Sequence, residues 1–191
     1  MFRKSMTSAL VATTLLMGGA SFVAPAFAQE KTVMVGGAPM YPSKNIIENA
    51  VNSKDHTTLV AAVKAAGLVE TLSGPGPFTV FAPTNEAFAK LPKGTVQTLL
   101  MPENKDKLTA VLTYHVVPGR LTEQDLADKV DEMGGKAMLK TVQGEDLTIE
   151  RRGKSNLTVT DAKGDVALIT IPNVMQSNGV IHVINNVLIP G

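Results

Sequence analysis

PFTVFAPTNEAF, residues 77–88, sets a strand directly against a helix. Phe78-Thr79-Val80-Phe81-Ala82 is β-branched and aromatic, the composition of a strand. Pro83 lacks the N–H that a ladder needs, so it ends the strand. Thr84 can accept from the free N–H groups of a helix opening at Asn85, and Glu86 suits the positive end of that helix. Ala87 and Phe88 turn the helix back onto the strand. Once residues 1–28 are removed as argued below, Phe78, Phe81 and Phe88 are all the phenylalanines that remain. Three large rings at one corner make a core nucleus.

Upstream, Ser73-Gly-Pro-Gly-Pro77 is a loop leading into the strand. Before it, residues 55–66 form a helix capped by Asp55, with Leu59, Val60, Val63 and Ala66 on one face and Gly67 as its stop. His56, in its first turn, is expected on the surface. Residues 45–52 form a shorter amphipathic helix, with Ile46, Ile47 and Ala50 inward, and residues 68–72 one further helical turn. Downstream, Thr95 caps a short helix, and a longer helix follows Pro102. On it Leu108, Val111, Leu112 and His115 recur at i, i+3, i+4 and i+7, which places His115 on the buried face and Tyr114 about 100° away from it. A buried imidazole needs partners for both nitrogens, and the Thr84-Asn85 corner is a candidate to supply them. Thr122 caps a helix to Met133, with Asp125 at its N3 position and Leu126 and Val130 inward.

From residue 137 the hydrophobic period changes to two. Strands are predicted over residues 137–142, 147–151, 157–160 and 166–172, separated by turn-rich segments such as Asp161-Ala-Lys-Gly-Asp165. Asn178-Gly179 signals a tight turn before a last strand over residues 180–189. That strand is apolar on both faces, which places it inside a sheet. Helices come mostly first and antiparallel strands mostly second, so the fold class is α+β.

The N-terminus reads as a secretory signal. Arg3 and Lys4 are its basic start, residues 9–23 its apolar stretch, and Ala26-Phe27-Ala28 its small-x-small cleavage site. Residues 29–42 hold Gly36-Gly37, Pro39 and Pro42 and read as an extended leader, so the domain runs over residues 43–190. The chain has 191 residues, 44% hydrophobic and 18% charged, and no cysteine. Disulfides, thiolate metal sites and a cysteine nucleophile are therefore excluded. Cleavage takes two of the 18 basic residues and none of the 17 acidic ones, so the secreted chain is near neutral. It has no electrostatic footprint for nucleic acid, and no later run is long enough for stable membrane insertion.

The chemistry-bearing residues do not form a catalytic set. His56, His115 and His182 lie far apart in sequence and none has metal-ligand spacing, so no metal or other cofactor is expected. His182 sits between Ile181 and Val183 and reads as a core histidine. Gly74-Pro-Gly76 has prolines where a phosphate loop needs amides. Arg151, Arg152 and Lys154 form a basic turn, read as a solvated hairpin tip.

Three segments together resemble the fasciclin-like domain family. TVFAPTNEAF, residues 79–88, is similar to its first signature box. Tyr114-His115 resembles its central Tyr-His pair, and residues 178–190, NGVIHVINNVLIP, its closing box. The resemblance spans about 140 residues and implies a β-sandwich wedge wrapped by short helices. It marks Phe78, Phe81, Thr84, Asn85, Phe88, His115, Asn178, Gly179 and His182 as motif positions. It also implies a secreted adhesion or protein-interaction module without catalysis, with a protein, cell-surface or matrix partner and with Tyr114 and His115 as contact residues. An internal apolar pocket would instead favour a lipid or small-molecule carrier. An enzyme would need perturbed titratable groups meeting in one cleft.

Overall fold

The computed structural model describes residues 31–153 and 156–191, so the expected secretory signal and cleavage site lie outside the described residues. In chain order the elements are β1 Val33–Val35, β2 Ala38–Met40, α1 Ile46–Ala50, α2 Thr57–Ala66, α3 Val69–Ser73, β3 Phe78–Pro83, α4 Asn85–Ala89, α5 Thr95–Leu99, α6 Lys105–Tyr114, β4 Val116–Pro118, α7 Glu123–Glu132, β5 Lys136–Lys140, β6 Asp146–Arg152, β7 Asn156–Thr160, β8 Val166–Gln176 and β9 Gly179–Ile184. Single 3-10 turns precede α2 and α6.

The strands run in the order β4-β3-β9-β8-β7-β6-β5. All pairings in this sheet are antiparallel except β3 with β9, where Phe78 to Pro83 lie beside Gly179 to Ile184 in parallel. That pairing joins the first and last motif segments, which lie about a hundred residues apart in sequence. β8 serves both halves of the sheet. Its start pairs with β7 and its remainder with β9, with register shifts between Ile169 and Val174. The irregularity bends the strand from one layer into the other. It holds Asn173 at φ 59°, in the left-handed region that asparagine tolerates better than most residues. Asn173 Oδ1 also accepts from the Glu123 N–H at the start of α7, at 2.7 Å.

Two cores result. Inside the wedge, Phe81 and Ile184 pack with Ala137, Leu147, Ile149 and Val159 of β5–β7, under Leu126 and Val130 of α7. On the opposite face, Val80, Ala82, Ile181 and Val183 pack against α1, α2 and α6. β3 and β9 are thus covered on both sides, which is why their sequences are apolar at successive positions.

Helix ends follow the capping residues where these were legible. Thr84 accepts from Ala87 N–H at 3.2 Å, and Thr122 with Asp125 forms a complete capping box. Thr84→Ala should lower stability by about 1 kcal/mol, read as a shifted urea midpoint with unchanged slope. Other expectations are corrected. Asp55 is not a cap, because the chain enters α2 through a 3-10 turn that buries His56. Gly94, at φ 87°, precedes α5 in place of a Thr95 cap. The last strand stops at Ile184, although Val187 and Leu188 remain buried. Beyond it side chains replace the ladder: Asn185 Oδ1 accepts from Leu168 N–H, and Asp161 Oδ2 from Ile189 N–H. The leader is not wholly outside the core. β1 and β2 form a hairpin, and their alternation turns Val35 and Met40 into the helical-side core.

Candidate functional site

Tyr114 and His115 end α6 and share the interior. Tyr114 is 0% exposed and His115 2%. Helical periodicity separates them, but the sheet curls round the end of α6, so each side chain meets its own wall. Tyr114 enters the wedge core. Its hydroxyl donates to the Asp146 carbonyl at 3.0 Å and accepts from Ala162 N–H at 2.9 Å. Burial raises its pKa. Tyr114→Phe keeps the ring and strands both backbone groups. The expected loss is about 1–2 kcal/mol, measured by urea unfolding.

His115 does not reach the Thr84-Asn85 corner. Its Nδ1–H donates to the Val111 carbonyl at 2.7 Å, one turn back on its own helix. Its Nε2 accepts from Leu188 N–H at 3.0 Å. The two bonds fix the neutral tautomer with the proton on Nδ1. Burial away from water lowers its pKa to about 4. The imidazole therefore fastens the closing segment to the central helix. In this conformation neither side chain of the pair offers a surface to a partner.

Asn85 has different work. Its Oδ1 accepts from Thr58 N–H at 3.0 Å and from the Thr57 hydroxyl, while its Nδ2 donates to the Lys54 carbonyl at 2.8 Å. It stitches the start of α4 to the start of α2. Phe88, beside it, is buried in the helical-side core.

Asn178 and Gly179 act as more than a turn. The two-residue link between β8 and β9 is Ser177-Asn178, and Gly179 already belongs to β9. Asn178 is 6% exposed. Its Oδ1 accepts from Ile46 N–H at 3.1 Å, and its Nδ2 donates to the carbonyls of Leu72 and Gly74, each at 2.8 Å. Its own carbonyl accepts from Phe78 N–H. Gly179 is required by contact rather than by φ, since a Cβ there would strike the Phe78 carbonyl. His182 Nε2–H donates to the Leu121 carbonyl at 2.8 Å, and its ring stacks on Phe81 with centroids 5.8 Å apart. Burial lowers its pKa. In the basic turn, Arg151 pairs with Asp131 at 2.7 Å, and Lys154 lies outside the described residues.

Other buried polar positions were not singled out in the sequence. Asn49 bonds Tyr41 through both its amide groups and also donates to Gln176 Oε1. Asn49 lies within an amphipathic helix, where a polar residue reads as solvent-facing; only the hairpin beside it makes it interior. Asp161 accepts from Lys163, Asp165 and Ile189 N–H groups, and its turn chemistry was the legible part. His56 is 3% exposed, not on the surface. Its Nδ1 lies 2.8 Å from Ser53 Oγ. Burial lowers its pKa, and the Ala82 carbonyl holds back that fall, although no partner reaches Nε2 in hydrogen-bonding geometry. Among the described residues no cluster of metal-ligating side chains occurs, and no helix is long and apolar enough to cross a membrane.

A curled sheet closed by its own first and last motif segments, with the Tyr-His pair turned inward, defines a fasciclin domain. The fasciclin domain model matches residues 54–190, and the chain belongs to that family. It is 45% identical to protein sll1483 of Synechocystis over 162 residues, covering 84% of this chain and 82% of that protein. It is 38% identical over 149 residues to the transforming growth factor-beta-induced protein ig-h3 of Sus scrofa, covering 78% of this chain and 20% of that protein. In fold it resembles a domain pair from the insect cell adhesion molecule fasciclin I, with a TM-score of 0.69 at 19% identity over 78% of this chain and 51% of that one.

Proposed function

We propose that this chain is a secreted or cell-surface adhesion and protein-interaction module without catalytic activity, exported by residues 1–28 with cleavage after Ala28. The observation that carries this reading is the fasciclin domain over residues 54–190, whose motif side chains are engaged in internal bonds and leave the outer surface to meet a partner. The fold it shares with a domain pair of a cell adhesion molecule supports the same reading. The enzyme alternative finds little support. Ser53 and His56 are within hydrogen-bond reach but both are buried, and no carboxylate orients the imidazole from its other nitrogen. The contact surface follows from exposure: Met133 at the end of α7 and Met138 on the edge strand β5 are 57% and 60% exposed. Exposed methionines beside an open strand edge suit a protein partner.

The test is a pull-down with the protein as bait against surface and secreted fractions of the producing cells, beside a Met133→Glu/Met138→Glu variant of unchanged circular dichroism. A saturable partner weakened at least tenfold in the variant is the expected result. A wild-type bait that captures nothing saturably contradicts the proposal.

A further inference from the structure

Beneath the N-terminal hairpin lies a cavity of about 50 Å³. Its walls include Val35 and Met40 of the hairpin, Val63, Leu72 and Ile181, and the one histidine whose ring is incompletely bonded, His56. Among the described residues, only His56 Nε2 and Thr160 Oγ1 are buried side-chain polar atoms without a hydrogen-bond partner, and of these two residues only His56 lines this cavity; the Ala82 carbonyl acts on its ring without reaching hydrogen-bonding geometry. A buried polar atom left unbonded costs about 1–3 kcal/mol, so this nitrogen asks for a ligand. A lone water suits it poorly, because a buried water takes about 2–4 polar partners and, apart from Ser53, Lys64 and His115, the other wall residues are apolar.

We propose that this cavity binds a small amphiphile, His56 Nε2 bonding its hydroxyl group and the aliphatic walls taking its short carbon stem. The hydroxyl follows from the tautomer. Ser53 Oγ can either donate to His56 Nδ1 or accept from it, so Nε2 is a donor in one case and an acceptor in the other. A hydroxyl matches both. The size follows from the volume. At about 10–15 Å³ for each water-sized group, the cavity admits about three to five heavy atoms, an oxygen and a stem of up to four carbons. Met40 is unbranched and adapts its shape. The hairpin is fastened by the Lys54 N–H to Gly36 carbonyl bond at 3.2 Å and by the Tyr41–Asn49 pair, so a longer chain enters only where it displaces the hairpin. The bound group is thus either a free short alcohol or the hydroxylated end of a longer apolar chain.

The test titrates the isotopically labelled protein with 1-butanol, following His56 ring nitrogens and the Val35, Val63 and Leu72 methyl groups by NMR. Saturable shifts confined to these groups are expected. His56→Phe keeps a ring without the nitrogen and should bind 1-butanol at least tenfold more weakly. If that variant does not fold, n-pentane on the wild-type protein takes its place and should bind at least tenfold more weakly than the alcohol. 1-Decanol separates the two sources: shifts spreading to the Gly36 and Met40 amides identify a chain end, and binding of 1-butanol alone identifies a free short alcohol. Absence of saturable binding, equal binding by His56→Phe or n-pentane, or a water held on Nε2 at full alcohol concentration would overturn the proposal.

Discussion

Asn178→Ala should lower the unfolding free energy by about 3 kcal/mol or more, as read from the urea midpoint. The substitution removes three hydrogen bonds at once, to Ile46 N–H and to the Leu72 and Gly74 carbonyls. Their partners belong to the start of α1 and to the end of α3. Each buried group left unbonded costs about 1–3 kcal/mol, and partial hydration of the two carbonyls keeps the sum near the lower end. Asn178→Asp is a sharper comparison. It keeps the acceptor for Ile46 N–H but turns a carboxylate oxygen toward two carbonyls, so its loss should equal or exceed that of alanine. A midpoint unchanged in both variants would mean that Asn178 only makes a turn.

Acid should destabilise the protein by about 3 kcal/mol through His115 alone. The folded state holds this imidazole neutral, with its pKa lowered to about 4 from 6.5. The unfolded chain takes up a proton near pH 6.5 while the folded one does not. Stability from this group is therefore fully present above pH 6.5, falls as pH drops toward about 4, and is level below that. The span corresponds to roughly 3 kcal/mol. Asp161 is the charged group that opposes the shift. His56 and His182 are displaced in the same direction by burial and add to the loss as pH falls below the ordinary histidine range. Asp125, whose carboxylate is bonded to Thr122, loses its contribution only on further acidification, as pH falls below the ordinary carboxylate range. Urea unfolding at pH 7 and pH 4.5 checks the sign. In His115→Leu the drop between those two pH values should be clearly smaller than in the wild type.

Much of this arrangement was legible in the sequence, because local chemistry and tertiary placement agree at those positions. Thr84 and Thr122 cap the helices that their spacing indicates. The two-faced apolarity of residues 180–184 places β9 within the sheet, where it lies between β3 and β8. His115 is inward, as its spacing on α6 requires. What was not legible depends on partners distant in sequence. Periodicity turns Tyr114 away from one face of α6 but carries no information that a second wall, the curled β6 and the turn after β7, waits there. His56 lies beside Asp55 and Lys54 and reads as surface until the hairpin is folded over it. Asn178-Gly179 suggests a turn by local rule, yet its asparagine is used for bonds across more than a hundred residues and its glycine for the approach of β3. The parallel pairing of β3 with β9 is likewise invisible to a pattern that reports only strands.

The most direct test of the account is the titration of His115 by NMR, following its ring nitrogens from pH 8 to pH 3.5. A buried structural imidazole predicts a neutral ring with the proton on Nδ1 throughout the range above pH 5, and a midpoint near the lowered value of about 4. A midpoint close to the ordinary 6.5, with both nitrogens exchanging with solvent, would contradict it and return the Tyr-His pair to the surface as a partner contact.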